Sequence, residues 1–129
     1  MINQILIADD SGVTRKMVQR SLEVAGLKGR TFIHVGNGAE ALVVLESQTI
    51  DLLVTDLNMP VMDGLELLRA MATRPACKGV RVLVVTSVAS GAWETELRGL
   101  GAAAVVRKPL SGESFPAVLA ELESSEARP

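Results

Sequence analysis

Five side chains that can take part in chemistry lie at or just after the ends of short apolar runs. They are two neighbouring carboxylates, a third carboxylate, a hydroxyl and an amine, at Asp9, Asp10, Asp56, Thr86 and Lys108. A carboxylate can attack a phosphoryl group, and a lysine amine and a threonine hydroxyl can bind the anionic oxygens of that group. Such a set is sufficient for phosphoryl transfer to Asp56, a reaction that depends mainly on positioning and charge neutralisation.

Three carboxylates brought to one place repel one another. At about 4 Å and an effective dielectric constant of about 20, each pair costs about 4 kcal/mol. A small hard dication offsets this repulsion, and Mg²⁺ prefers a few carboxylate oxygens, a carbonyl and several waters. Together with Asp56, the pair Asp9 and Asp10 therefore predicts a Mg²⁺ site. Taken alone, the pair would be better explained by helix capping and turn formation.

The elements that must position these groups are five short apolar runs. Most runs are continuous rather than alternating, which is typical of strands covered on both faces. They are Ile5–Ala8, Phe32–Val35, Leu52–Thr55, Val82–Val85 and Ala103–Val106. Segments with helical spacing follow them, and the last four are Ala39–Glu46, Leu65–Met71, Ala92–Leu100 and Ser114–Leu122. This repetition predicts an α/β fold, a doubly wound five-stranded parallel sheet with helices on both faces. Its ligand-binding edge would carry the five polar groups.

The segment after the first run has a one-sided apolar pattern, which predicts a helix that ends near Gly26. We expect its apolar residues to face the core and its charged residues to face water. The apolar set is Val13, Met17, Val18, Leu22 and Ala25, and the charged set is Arg15, Lys16, Arg20 and Glu23.

The composition excludes several classes of protein. The length of 129 residues fits one domain, and the formal net charge of −2 gives no reason to expect binding to nucleic acid or to a membrane surface. The single cysteine, Cys77, cannot form an internal disulfide and fits a reducing cytoplasmic location. No apolar run approaches the roughly 18 residues of a membrane span, and the N-terminus lacks the basic region of a signal peptide. We expect residues 1–123 to form the domain and residues 124–129 to be a flexible tail or the start of a linker.

Four segments of the chain resemble the response-regulator receiver domain family, close to its single-domain chemotaxis (CheY-like) type. They are "ILIADDS", "LLVTDLNMPVMDGLELL", "VLVVTS" and "VVRKPL". Each segment is a weak signal alone, but their order along nearly the whole chain is highly specific. The resemblance implies a flavodoxin-like fold with strand order 2-1-3-4-5. Known members of this family are the standard example of ligand binding at the topological switch point, which is the position in the sheet where the strand order reverses.

The resemblance also implies a role for each candidate residue. Asp56 would accept a phosphoryl group from the phosphohistidine of a histidine kinase or from a small donor. Asp9 and Asp10 would hold Mg²⁺, with Asp56 and the backbone carbonyl of Asn58 as the other protein ligands. Lys108 would pair with Asp56 and then with the phosphoryl oxygens.

Further implied roles concern the active state and its lifetime. Thr86 would bind the phosphoryl group in the active state, and Val88 and Asn58 would control the access of water to it. Pro109 would follow Lys108 through a cis peptide bond. The protein would not be a conventional enzyme, but it would catalyse its own phosphorylation and dephosphorylation.

The implied partners are a sensor histidine kinase or phosphotransfer protein and a downstream protein target. In the family, a tyrosine or phenylalanine three residues before the lysine moves inward on activation. Here that position is Val105, which has no ring to relocate and little rotamer freedom. We expect the face formed by the fourth helix, fifth strand and fifth helix to signal by another route. Trp93 is either a contact on that face or part of the core.

Three alternative functions remain to be separated from this one. A pseudo-receiver would keep the fold as a scaffold for partners without phosphate cycling, and Val105 is mild evidence for it. A phosphatase with an aspartate nucleophile would need a second acid at the position of Asn58. A flavin-binding protein would need phosphate loops and aromatic stacking, which the sequence lacks. His34 is interpreted as a structural residue rather than a phosphodonor.

Overall fold

The computed structural model describes residues 2–87, 91–108 and 114–124. Two positions with predicted roles, Val88 and Pro109, lie outside the described residues, as do residues 125–129 of the predicted tail. Within the described ranges, five strands alternate with five α-helices. These are β1 Gln4–Ala8, α1 Gly12–Leu22, β2 Thr31–Val35, α2 Gly38–Ser47, β3 Leu52–Thr55, α3 Gly64–Ala72, β4 Arg81–Thr86, α4 Gly91–Gly99, β5 Ala104–Arg107 and α5 Ser114–Ser124.

The strands form one parallel sheet in the order β2-β1-β3-β4-β5. The predicted α/β fold and its strand order are therefore confirmed. The ends of the elements differ from the sequence prediction by only a few residues. For example, β5 begins at Ala104 instead of Ala103, a difference within the usual uncertainty of strand and helix ends.

Side chains on successive strand residues point to opposite faces of the sheet, so each strand contributes to two apolar cores. On one face, Ile5 and Ile7 of β1 belong to a buried cluster that includes residues of α1 and α5. On the other face, Leu6 and Ala8 belong to a cluster that includes residues of α2, α3 and α4. Both faces of the sheet are thus covered, which fixes the strands and leaves their carboxyl ends for a site. No helix within the described ranges combines the length and the apolar character needed to cross a bilayer.

The apolar face predicted for α1 is wrong for two of its residues. Val13 is 71% exposed and Met17 is 48% exposed, whereas Val18 and Leu22 are buried. At about 100° per residue, Val18 and Leu22 lie about 40° apart, and Val13 lies more than 100° away from both. The sequence pattern therefore combined two different faces of one helix. The predicted end of this helix is confirmed, because Gly26 adopts a φ of 136° in the π-type turn that follows α1.

Glycines allow the loop after β3 to approach its neighbours closely. A Cβ atom on Gly64 would lie 2.2 Å from the carbonyl oxygen of Asp56, so only glycine fits where α3 begins. The Gly64 N–H donates to the carbonyl of Leu57 at 2.9 Å. A Cβ on Gly38, at the start of α2, would lie 2.8 Å from the carbonyl oxygen of Met62, which accepts a hydrogen bond from the Gly38 N–H at 2.9 Å. The loop is therefore packed against the first residues of both α2 and α3.

The same loop contains a strained turn. Val61 has a φ of 67°, a left-handed conformation that is unfavourable for a β-branched residue, and its side chain is 82% exposed. The Met62 N–H donates to the carbonyl of Pro60 at 2.7 Å, which closes a γ-turn around Val61. The side chain of Asp63 accepts a hydrogen bond from the Glu66 N–H and caps the N-terminus of α3.

His34 connects β2 to α1. Its Nε2 atom lies 2.7 Å from Oε1 of Gln19. Burial lowers the pKa of His34 below its ordinary value of 6.5, and the positive charges of Arg15 and Lys16 lower it further. This hydrogen bond is in keeping with the structural role expected for His34.

Substitution of Gly64 by alanine should destabilise the protein by about 3 kcal/mol, because the added methyl group would overlap the backbone of Asp56. Urea denaturation of the parent and the variant measures this difference. Gly91→Ala is the matched control, since a Cβ at Gly91 meets nothing within 4 Å. That control should change stability by less than about 1 kcal/mol. Equal stability of Gly64→Ala and the parent would contradict the predicted overlap.

The lowered pKa of His34 predicts a loss of stability in weak acid. As the pH falls below 6.5, the unfolded chain takes up a proton at His34 before the folded chain does, so the free energy of unfolding decreases. His34→Gln should show a smaller decrease than the parent between about one pH unit above and about one pH unit below that value. Urea denaturation at the two pH values checks this prediction. Identical pH dependence in the two proteins would show that His34 does not contribute.

Candidate functional site

The end of β3 holds Asp56 in a rigid position. The side chain follows a fully buried strand and is itself buried. The backbone N–H of Asp56 donates to the carbonyl of Ala8 at 3.0 Å, which extends the pairing of β3 with β1. Its Oδ1 atom accepts a hydrogen bond from the N–H of Leu57 at 2.7 Å. The backbone N–H of Leu57 therefore fixes the Oδ1 atom of the carboxylate, and the Oδ2 atom is directed toward Lys108.

Two further carboxylates lie beside Asp56. Asp9 and Asp10 stand between β1 and α1, and one carboxylate oxygen from each of the three acids lies within 4.8 Å of the others. Asp9 is buried and Asp10 is exposed. This donor set consists only of oxygen atoms, which suits a hard cation such as Mg²⁺ better than a soft metal. The residues present therefore fit the predicted metal.

Lys108 contacts two of these carboxylates through its amine. Its Nζ atom lies 3.0 Å from Oδ2 of Asp56 and 3.3 Å from Oδ2 of Asp9. The backbone N–H of Lys108 donates to the carbonyl of Thr86 at 2.8 Å, which continues the pairing of β5 with β4. One amine thus spans two of the three carboxylates, and three ionised acids beside it would leave a net charge of −2. A dication would balance that charge.

The pKa values of the paired groups reflect burial and charge together. Burial raises the pKa of Asp9 above its ordinary value, although the Ser11 N–H and the charge of Lys108 act in the opposite direction. Burial alone would lower the pKa of Lys108, but the hydrogen bond and the charge of Asp56, with those of Asp9, outweigh it and raise that pKa. Lys108 therefore remains positively charged at neutral pH beside Asp56.

The remaining predicted residues lie around this cluster. Thr86 is the last residue of β4 and is fully buried, and its backbone bond to Lys108 places these two residues on neighbouring strands. Asn58 is exposed in the loop after β3. With Asp10, it lines an open cleft of about 390 Å³ beside the acids. The roles of the Thr86 hydroxyl and of the Asn58 carbonyl stay predictions.

One residue of the site was not expected from the sequence. Arg15 was assigned to the water-facing side of α1, but its side chain is half-buried and its Nη1 atom donates to the backbone carbonyl of Asp9. The spacing permits this contact but does not single it out among the directions open to a long side chain. A residue on the first turns of a helix can reach back with a long side chain to the loop that precedes the helix.

In the face formed by α4, β5 and α5, Arg98 of α4 contacts the residue before β5 and a residue of α5. Its guanidinium donates to the carbonyl of Ala103 at 2.8 Å and lies 3.2 Å from the carboxylate of Glu121 on α5. Val105 is half-buried in β5, and Trp93 is half-buried on α4. Both pack against the cluster that lies under α2, α3 and α4. Trp93 thus lies at the edge of the apolar core, and only part of its side chain is exposed for contact with a partner.

Comparison with known proteins assigns most of the chain to the family that the four sequence segments resemble. The family model for the response regulator receiver domain matches residues 5–120. A probable chemotaxis protein CheY of Rhizobium etli is 30% identical, with 90% of this chain and 88% of that protein covered. Protein-glutamate methylesterase/protein-glutamine glutaminase 3 of Rhodospirillum rubrum is 43% identical over 84% of this chain, which spans only 28% of that longer protein.

A solved structure shows the same arrangement of elements. The chemotaxis response regulator CheY4 of Vibrio cholerae has a TM-score of 0.81 and 29% identity, with 95% of this chain and 99% of that chain covered. The family predicted from the four sequence segments is therefore confirmed, and with it a place in two-component signalling. The chain belongs to the response regulator receiver domain family.

Proposed function

We propose that this protein is a phospho-accepting response regulator in which Asp56 receives a phosphoryl group in a Mg²⁺-dependent reaction. The observation that supports this function best is the convergence of three carboxylates within 4.8 Å beside a single lysine amine, which contacts Asp56 at 3.0 Å. Residues 1–123 would form the receiver, and its location would be cytoplasmic. The donor would be a sensor histidine kinase or a phosphotransfer protein.

The reaction transfers one phosphoryl group without a change of oxidation state. A carboxylate oxygen of Asp56 forms a bond to phosphorus while the P–N bond of the donor phosphohistidine breaks. The electron pair of that bond stays on the ring nitrogen, and the ring leaves as neutral imidazole when its second nitrogen carries a proton. Bound Mg²⁺ supplies positive charge to the phosphoryl oxygens. Asp9, Asp10, Asp56 and the backbone carbonyl of Asn58 would hold it.

The protein groups around Asp56 assist by positioning and charge. The Leu57 N–H fixes one carboxylate oxygen, so the two oxygens of Asp56 are not equivalent. Lys108 would move its contact from the carboxylate to a phosphoryl oxygen, which keeps the amine paired before and after transfer. Thr86 would donate its hydroxyl proton to another phosphoryl oxygen.

A pseudo-receiver scaffold is the second candidate. In the family the inward movement of an aromatic ring communicates phosphorylation, and Val105 stands at that position here. A protein that only binds partners would nevertheless gain nothing from burying Asp9 and Asp56 beside each other. The complete acid cluster therefore favours phosphate cycling.

Incubation with acetyl phosphate and Mg²⁺ tests the proposed function. Intact-mass spectrometry should show the addition of one phosphoryl group to the parent, and none when Mg²⁺ is removed by a chelator. Asp56→Asn should stay unmodified. Asp51→Asn is the matched control, because Asp51 lies before β3, at the opposite end of that strand from Asp56, and accepts hydrogen bonds from the N–H groups of Asn3 and Gln4. An unmodified parent would favour the pseudo-receiver scaffold.

The proposed output face is the surface of α4, β5 and α5. Phosphorylation of Asp56 should change the backbone amide chemical shift of Val105, because β5 leads directly to Lys108. It should also change that of Trp93, because Trp93 and Val105 pack against the same apolar cluster. Spectra of the ¹⁵N-labelled protein before and after phosphorylation measure these shifts, and Asp56→Asn treated in the same way is the control. Shift changes confined to residues near the acids would show that this face does not report the phosphorylated state.

A further inference from the structure

Arg15 differs from the other basic residues of α1 in the direction of its side chain. Lys16 and Arg20 are exposed, whereas Arg15 is half-buried and its guanidinium donates to the backbone carbonyl of Asp9. Its Nε atom is buried and has no hydrogen-bond partner among the described residues. Partial burial of a guanidinium is costly unless its contacts compensate for lost hydration. The side chain is therefore held in place at the loop that carries two of the acids.

The contact completes the hydrogen bonding of Asp9. The N–H of Asp9 donates to the carbonyl of Val35 at 3.2 Å, and its carbonyl accepts from Arg15. Its carboxylate oxygens accept separately from the Ser11 N–H at 2.9 Å and from Lys108 at 3.3 Å. Each polar atom of Asp9 thus has a hydrogen-bond partner. The hydrogen bond from Arg15 to the Asp9 carbonyl fixes the plane of the peptide between Asp9 and Asp10.

Asp10 depends on that peptide plane more than the other acids do. Its side chain is exposed, and among the described residues it makes no hydrogen bond or ion pair. Asp9 and Asp56 are both held by backbone N–H groups and by Lys108. The direction in which the Asp10 carboxylate leaves the chain is therefore set by its own backbone. A rotation of the Asp9–Asp10 peptide would carry that carboxylate away from the other two.

We infer that Arg15 is a positioning residue that holds the Asp9–Asp10 peptide and thereby keeps the Asp10 carboxylate in the acid cluster for Mg²⁺. The inference rests on the proposed function, because it concerns the same metal. If Arg15 acts by positioning, its removal should lower the affinity for Mg²⁺, whereas if it acts only through its charge, its removal should raise that affinity. Loss of a positive charge near a dication strengthens binding of the dication, whereas loss of a group that orients a ligand weakens it.

Calorimetric titration with MgCl₂ separates the two effects. Arg15→Gln should bind Mg²⁺ about tenfold more weakly than the parent, as is usual when a group that orients a metal ligand is removed. Arg15→Lys keeps the charge but loses the forked guanidinium, so it should also bind more weakly. Lys16→Gln is the matched control, because it removes an adjacent charge that is exposed and forms no hydrogen bond or ion pair with Asp9. It should bind Mg²⁺ as tightly as the parent or slightly more tightly.

The free energy of unfolding without Mg²⁺ shows whether a variant is merely less stable. Arg15→Gln that binds Mg²⁺ as tightly as the parent, or more tightly, would overturn the inference. If Arg15→Gln fails to fold, parent-like affinity in Arg15→Lys would overturn it, and a weaker affinity would support it. A parent that does not bind Mg²⁺ would instead contradict the proposed function, and the inference would fail with it.

Discussion

The rest of the site depends on the repulsion among three carboxylates that the sheet brings to one edge. Two of them are buried, all three have oxygens within 4.8 Å, and Lys108 offsets only part of their charge. Carboxylates so close together are stable only if positive charge or fixed donors compensate for lost hydration. We therefore propose that the pocket attracts a dication, and that it would accept a phosphoryl group only when additional positive charge is present.

The fold maintains this unfavourable arrangement through its apolar layers and backbone hydrogen bonds. β1 and β3 are neighbours in the centre of the sheet, and the side chains on their two faces are buried under helices. The acids at their ends are consequently displaced only if packing on both faces is disturbed. Backbone N–H groups of Ser11 and Leu57 hold the carboxylates of Asp9 and Asp56. The free energy that confines the acids comes from the cores, not from the site itself.

The fold and the location of the acids could be predicted because they follow from strand periodicity and from the common edge of parallel strands. Three features could not be predicted in this way. The apolar residues Val13 and Met17 face water, since residue type does not show which part of a helix its neighbours cover. Arg15 reaches back to Asp9, since a long charged side chain can lie along several directions. The approach of Gly64 to Asp56 depends on a distance that exists only in the folded chain.

The missing Cβ at Gly64 has a mechanical consequence. A methyl group there would lie 2.2 Å from the carbonyl oxygen of Asp56, and the Gly64 N–H donates a hydrogen bond to the carbonyl of Leu57 at 2.9 Å. The third helix therefore starts in close backbone contact with Asp56, with no side chain between them to absorb a displacement. Movement of the Asp56 backbone toward that helix meets a closely packed neighbour that hardly compresses. The end of β3 and the start of α3 are therefore expected to move together rather than independently.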